Sequence, residues 1–368
     1  MDPRHRFGGE EDLGPVVNSR YGDAMFSSRA ALAVLLACVV GASAAPAASA
    51  SPAPSPIPVV YDGDSDFADI ATLAYLCQAH KQRRVDLRAV TVTNNGAGTP
   101  GRALTHVRTA LGKCGLSGIP VADGSDTGVN PMPADGRAWT ESILNGALGD
   151  AGVPDRPSPV RASALLAATV LESARPVVVI ATGPLTNVAK AMEVPGVARR
   201  ISRLAVMGGA FDVPGNVFGP GASKFDGTQE VNMWLDPASA DKVFAGLRRV
   251  DIVPLDATND VPITPSYVER LGREGRTAEA KLVHAIVTQP DLAPYVQDGS
   301  AFWWDTLASS EVLDAVSPVK LRRAKVDVRQ DGAAAGRTYV TPKGTSQYVG
   351  YDADPVAWEN GFLKMLNG

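Results

Sequence analysis

The segment Asp62-Gly63-Asp64-Ser65-Asp66-Phe67-Ala68-Asp69 packs four carboxylates into eight residues. It directly follows the apolar run Ile57 to Tyr61 and directly precedes the helix-like run Ile70 to Lys81. Like charges this close repel strongly in a partly desolvated site, so a cation must compensate or some carboxyls must stay protonated. Only carboxylate and neutral oxygen donors are available there, which suits calcium or magnesium better than zinc or copper. In an extended segment Asp62, Asp64 and Asp66 point to one side. Asp69 is expected to begin the following helix, where the positive end of the dipole favours an acid. A solvated acidic turn is the ordinary alternative, and the strand-turn-helix context argues against it.

Beyond Pro58, strand-like and helix-like runs alternate: Val59 to Tyr61, Ile70 to Ala79, Leu87 to Thr93, Ala103 to Leu111, Ala162 to Ala174, Val177 to Ala181, Leu185 to Met192 and Leu204 to Met207. Asp236-Pro237 and Thr264-Pro265 each open a further helix with a capping side chain and a proline at the first position. The expected fold class is α/β, an open, mostly parallel Rossmann-like sheet flanked by helices. With 368 residues and 45% hydrophobic content, the chain can bury a large core. Its formal net charge of -4 offers no basic field to nucleic acid and no polybasic stretch to anionic lipid. A small-molecule substrate is the better expectation. Ligands of open α/β sheets bind outside the carboxyl ends of the strands. The polar loops Asp62 to Asp69, Asn94-Asn95-Gly96, Thr182-Gly183-Pro184 and Gly208-Gly209 all fall there.

The first 58 residues stand apart. Residues 1–24 are polar without apolar periodicity, as an N-terminal extension or a start upstream of the true Met25 would be. Residues 25–44 have the basic, apolar and small-residue regions of a signal peptide, and residues 45–58 form an Ala/Pro/Ser-rich linker. A catalytic domain is expected over residues 59–368. The leader implies a secreted or extracytoplasmic protein, its apolar run being too short for a membrane span. Leu35-Leu36-Ala37-Cys38 is the weaker alternative, a lipoprotein signal on Cys38. Cys77 and Cys114 would remain after cleavage, either paired or as buried thiols. His5, His80, His106 and His284 lack metal-ligand spacing.

From Pro58 onward the chain resembles the inosine-uridine type of nucleoside hydrolase, which cleaves the N-glycosidic bond of ribonucleosides. Segments carrying the resemblance are Asp62 to Leu73, Val90 to Leu111, Ile180 to Met192, Leu204 to Gly209, Gly215-Asn216, Glu230-Val231-Asn232 and Phe302 to Ala308, in the family's order. The resemblance implies a calcium ion held by Asp64, Asp69, the Thr182 carbonyl and Asp305. It implies Asp64 as general base toward a calcium-bound water, and Asn95, Asn216, Glu230 and Asn232 as ribose contacts. Relatives commonly form homodimers or homotetramers.

Two positions depart from the family pattern. Ala68 stands where an adjacent pair of aspartates usually begins, and Asp66 stands where many members have glycine. Trp303-Trp304-Asp305 replaces a segment in which many members carry a histidine that protonates the leaving base. An indole cannot do that, but a tryptophan can stack on a base; Trp304 is placed in the pocket and Trp303 in the core. The resulting expectation is a calcium-dependent ribonucleoside hydrolase of unresolved base preference. The alternatives are a secreted nucleoside- or sugar-binding protein on the same scaffold, or a hydrolase re-specified for another N-ribosyl substrate by Ala68.

Overall fold

In the computed structural model, residues 55–149, 157–219, 221–313 and 317–368 are described. The expected extension, leader, Cys38 and all of the linker before Ser55 lie outside the described residues. Nine strands run as β1 Ile57–Gly63, β2 Val85–Val92, β3 Val121–Asp123, β4 Val177–Ala181, β5 Ile201–Met207, β6 Val250–Val253, β7 Val319–Val328, β8 Thr338–Val340 and β9 Thr345–Ala353. They form one sheet in the order β3-β2-β1-β4-β5-β6-β9-β7-β8.

The first seven strands of that order pair in parallel, and β7 pairs antiparallel with β8 and β9. The chain winds from β1 outward through β2 and β3, then crosses to start β4 on the other side of β1. The switch point of the sheet therefore lies between β1 and β4, where an open α/β sheet leaves a crevice. The carboxylate loop leaves β1 and Thr182 leaves β4, so the topology alone brings them together.

Both faces of the parallel strands are covered. Val59 and Tyr61 of β1 and Val178 and Ile180 of β4 enter one core cluster, while Val60, Val177, Val179 and Ala181 enter the other. This alternation explains why these strands read as unbroken apolar runs. The helix α1, Phe67–Lys81, is buried from Phe67 through Ala79, because helices Ala278–Val287, Trp304–Leu313 and Pro355–Asn367 and α2, Arg102–Lys113, all pack on it. Such an all-round burial is why α1 lacks a polar stripe. It starts at Phe67, three residues before the apolar run, because Asp66 caps it and Asp69 completes a capping box from its third position.

Cys77 on α1 and Cys114 at the end of α2 are buried free thiols in contact with each other. Among the described residues no helix is long and apolar enough to cross a membrane.

Candidate active site

At the carboxyl ends of β1, β4 and β5 lies a cavity of about 650 Å³. Asp64, Asp66, Thr182, Met207, Asn216, Glu230, Asn232, Trp304 and Asp305 line it. The first of these come from the loop after β1. Ser65 takes a left-handed backbone (φ 63), which ends the extended run and swings Asp66 away from strand geometry. Asp62, Asp64 and Asp66 do not all share one side as expected: Asp64 and Asp66 reach the cavity and Asp62 does not. Asp62 turns inside the sheet, 0% exposed, where its Oδ1 accepts from Thr91 Oγ1 (2.6 Å) and Asn187 Nδ2 (2.9 Å).

Asp69 organises the loop from behind. Its Oδ2 accepts from the amides of Asp64 and Asp66, both at 3.0 Å, and its Oδ1 accepts from the hydroxyls of Tyr61 and of Thr182, the latter at 2.5 Å. Burial pushes the Tyr61 hydroxyl well above its usual range, so it remains a donor. A side chain on Gly63 would stand 2.3 Å from Asp69 Oδ1, and one on Gly96 would stand 2.0 Å from Asp64 Oδ2. These two glycines leave the space the carboxylates fill. Asp64 Oδ2 accepts from the Ala97 amide at 2.8 Å.

The sugar contacts implied by the resemblance divide. Glu230 caps the short helix Val231–Leu235, accepting from the amides of Asn232, Gly209 and Met233 at 2.9, 3.0 and 3.1 Å. Gly209, at φ 91, has a backbone that favours glycine and so can aim its amide there. Asn232 Nδ2 donates to the Thr182 carbonyl at 3.0 Å, and Asn216 Oδ1 accepts from the Val231 amide at 2.9 Å. Asn95 is placed elsewhere. It accepts from Thr93 and donates to Thr186, and it lines a neighbouring cavity of about 340 Å³ with Arg137. Asp256 accepts from the amides of Phe211 and Asp212 and so fixes the chain after β5.

The cavity lining is also aromatic. Trp139 from α3, Ala134–Leu148, together with Phe218, Tyr295 and Trp304, forms that wall. Trp139 packs edge-on against Tyr295 (5.3 Å between centroids) and Phe67, and Phe67 packs edge-on against Trp304. Trp303 is 1% exposed and packs on Tyr267, Trp358 and Phe362, away from the cavity. The sequence reading missed Trp139, Phe218 and Tyr295; no motif marks them, and only the fold brings them beside Trp304. No histidine is among the residues lining the cavity.

Burial raises the carboxyl groups of Asp64, Asp305 and Glu230, and neighbouring carboxylates raise the first two further. Asp66 is pushed up to about 7 by burial and then by the Asp69 charge. Among the described residues no three acidic, histidine or cysteine side chains converge as a preformed metal cage. The donor set nonetheless suits a hard cation. It is all oxygen, largely buried and of one sign, and the carboxyls raise one another in the absence of a compensating charge.

Comparison with known proteins places this geometry. Residues 59–359 match the family described as inosine-uridine preferring nucleoside hydrolase. A pyrimidine-specific ribonucleoside hydrolase, RihA, of Citrobacter koseri is 30% identical over 226 residues, covering 59% of this chain and 66% of that protein. RihA of Escherichia coli is 31% identical over 211 residues, 54% of this chain and 62% of its own length. The match thus spans less than two thirds of either relative. Among solved structures, the inosine-uridine preferring nucleoside hydrolase of Bacillus anthracis superposes with a TM-score of 0.72 at 25% identity, over 84% of this chain and 99% of that one. A plant nucleoside hydrolase, PpNRh1, shares the fold with a TM-score of 0.73 at 23% identity, over 85% and 99%. With the match running from β1 into the last helix, the chain belongs to the inosine-uridine preferring nucleoside hydrolase family.

Proposed function

We propose that this protein hydrolyses the N-glycosidic bond of ribonucleosides, releasing free base and ribose, with Asp64 as the general base. The observation that carries this reading is one cavity lined both by carboxylates and amides and by aromatic rings. Asp64, Asp69, the Thr182 carbonyl and Asp305 would hold a calcium ion. Bound calcium would offset the repulsion among these carboxylates and make an attacking water more acidic.

Asp64 accepts the proton of an attacking water as the water oxygen bonds to the anomeric carbon and the bond to the base nitrogen breaks. Its side chain is held for this by the Ala97 amide, and its backbone by Asp69. Positive charge developing on the sugar ring faces Asp64, Asp305 and Glu230, whose fixed carboxyls stabilise it. Asn216, Glu230 and Asn232 orient the sugar, and Trp304, Trp139 and Tyr295 stack on or flank the base. With no histidine in the lining, a base that is readily protonated is the better leaving group. The signal-like leader and the net charge of -4 fit an exported salvage enzyme acting on free nucleosides.

The test is release of free base from uridine, cytidine, inosine and adenosine by the mature chain, beginning near Ser51. Turnover abolished by Asp64→Ala supports the reading. Retained nucleoside binding without turnover in the unmutated protein would favour the binding-protein alternative instead.

A further inference from the structure

Asp66 stands in the cavity wall although it is also the residue that caps α1. Its side chain accepts from the amides of Ala68 and Asp69, and its own amide donates to Asp69 Oδ2 at 3.0 Å. Residue and carboxyl are thereby fixed. An ionised carboxylate has about four acceptor sites, so two helix amides leave capacity for a ligand. Capping does not explain the choice of an acid here. Serine and asparagine cap about as well, and neither would add charge to a floor that already holds Asp64, Asp69 and Asp305.

Ala68, on the same helical turn, is 2% exposed, belongs to the core beside Phe67 and Ile70, and is not among the residues lining the cavity. Within this turn Asp66 is therefore the side chain that lines the cavity. The cavity it enters is otherwise furnished for a polyhydroxylated ligand, with Asn216, Glu230 and Asn232 alongside.

We propose that Asp66 is a specificity-determining residue whose carboxylate accepts a hydrogen bond from a sugar hydroxyl, so that the cavity selects sugars carrying that hydroxyl. A sugar lacking it would leave a desolvated carboxylate without its partner, and such losses discriminate strongly. The inference rests on the nucleoside hydrolase reading only in seating a sugar beside Asp64.

The mature protein, Asp66→Asn and Asp66→Ser, both of which keep a capping side chain, are compared on uridine and inosine and on their 2′-, 3′- and 5′-deoxy counterparts. Binding of D-ribose to the same preparations is followed by titration calorimetry. Expected is a roughly tenfold to hundredfold loss of kcat/KM on the parent nucleosides and of ribose affinity. On the one deoxy analogue that lacks the contacted hydroxyl, no further loss is expected. An equal loss on every sugar, or none, overturns the proposal and leaves Asp66 a cap. Should the unmutated protein release no base but bind ribose more tightly than Asp66→Asn, the hydrolase reading fails and this one stands. Ribose bound equally by all three proteins, or by none, overturns it whatever the turnover.

Discussion

Two kinds of group line the cavity: polar groups held at strand ends and helix starts, and aromatic side chains brought in by helices and loops. The carboxylate side inherits its rigidity from the sheet: Thr182 N donates to Asp62 O at 2.9 Å, Thr93 N to Gly63 O at 2.8 Å and Gly98 N to Asp64 O at 2.9 Å. The aromatic side is assembled from α3, the helix Ala293–Asp298, the start of Trp304–Leu313 and the loop at Phe218, whose outermost members Phe218 and Tyr295 are exposed. Asp64 and Thr182 follow strand ends, Glu230, Asn232 and Asp305 sit at helix starts, and the outer aromatic groups sit where the chain can vary.

If that division is right, the two sides fail differently. Asp64→Asn should lower kcat by about 10²- to 10⁴-fold, the range for a lost general base, with the melting temperature little changed. A comparable fall in melting temperature would place Asp64 in the structure rather than the chemistry. The adjacent tryptophans sharpen the contrast. Trp303→Ala should cost about 3–5 kcal/mol of stability, as large aromatic truncations in cores do. Trp304→Ala should raise KM roughly tenfold to hundredfold through lost stacking, by different factors for purine and pyrimidine substrates. Denaturant melts and steady-state kinetics on both variants decide it; a KM effect from Trp303 or a stability loss of that size from Trp304 would reverse the assignment.

The smallest expected effect is that of Ala68→Asp. Its side chain starts in the core beside a floor already crowded with carboxylates, so turnover should stay flat or fall a little. A clear rise would show that the carboxylate missing at this position limits the enzyme, and that Asp66 does not replace it.

The strand-end loops were legible in the sequence because each is contiguous with its strand: Asp64 and Asp69 follow one apolar run and Thr182 another, and alternating apolar runs announce a parallel sheet. Glu230, Asn232 and Asp305 have no such local signature, and the family resemblance alone pointed to them. Finer placement was not legible. Asp62 departs from Asp64 and Asp66 because Thr91 and Asn187 hold its carboxyl inside the sheet, a long-range pairing that no rule for an extended segment anticipates. Asn95 faces the neighbouring cavity because Thr93 and Thr186 hold both ends of its amide. The aromatic wall was invisible for a different reason. The α3 stretch opens after Pro133 without a side-chain cap and carries Gly136 and Gly146, so local pattern does not announce a helix there. Trp139 and Tyr295 meet only through long-range packing. The antiparallel β7, β8 and β9 edge likewise follows from pairing that the alternating rhythm of the parallel strands does not foretell.

The central claim is that the acidic floor at the β1/β4 switch point is a cation site serving hydrolysis. The most direct test follows base release from uridine and inosine by the mature chain as prepared, after removal of divalent cations with a chelator, and after calcium is returned. The account requires turnover that disappears on chelation and comes back with calcium. Turnover that chelation leaves untouched would contradict it.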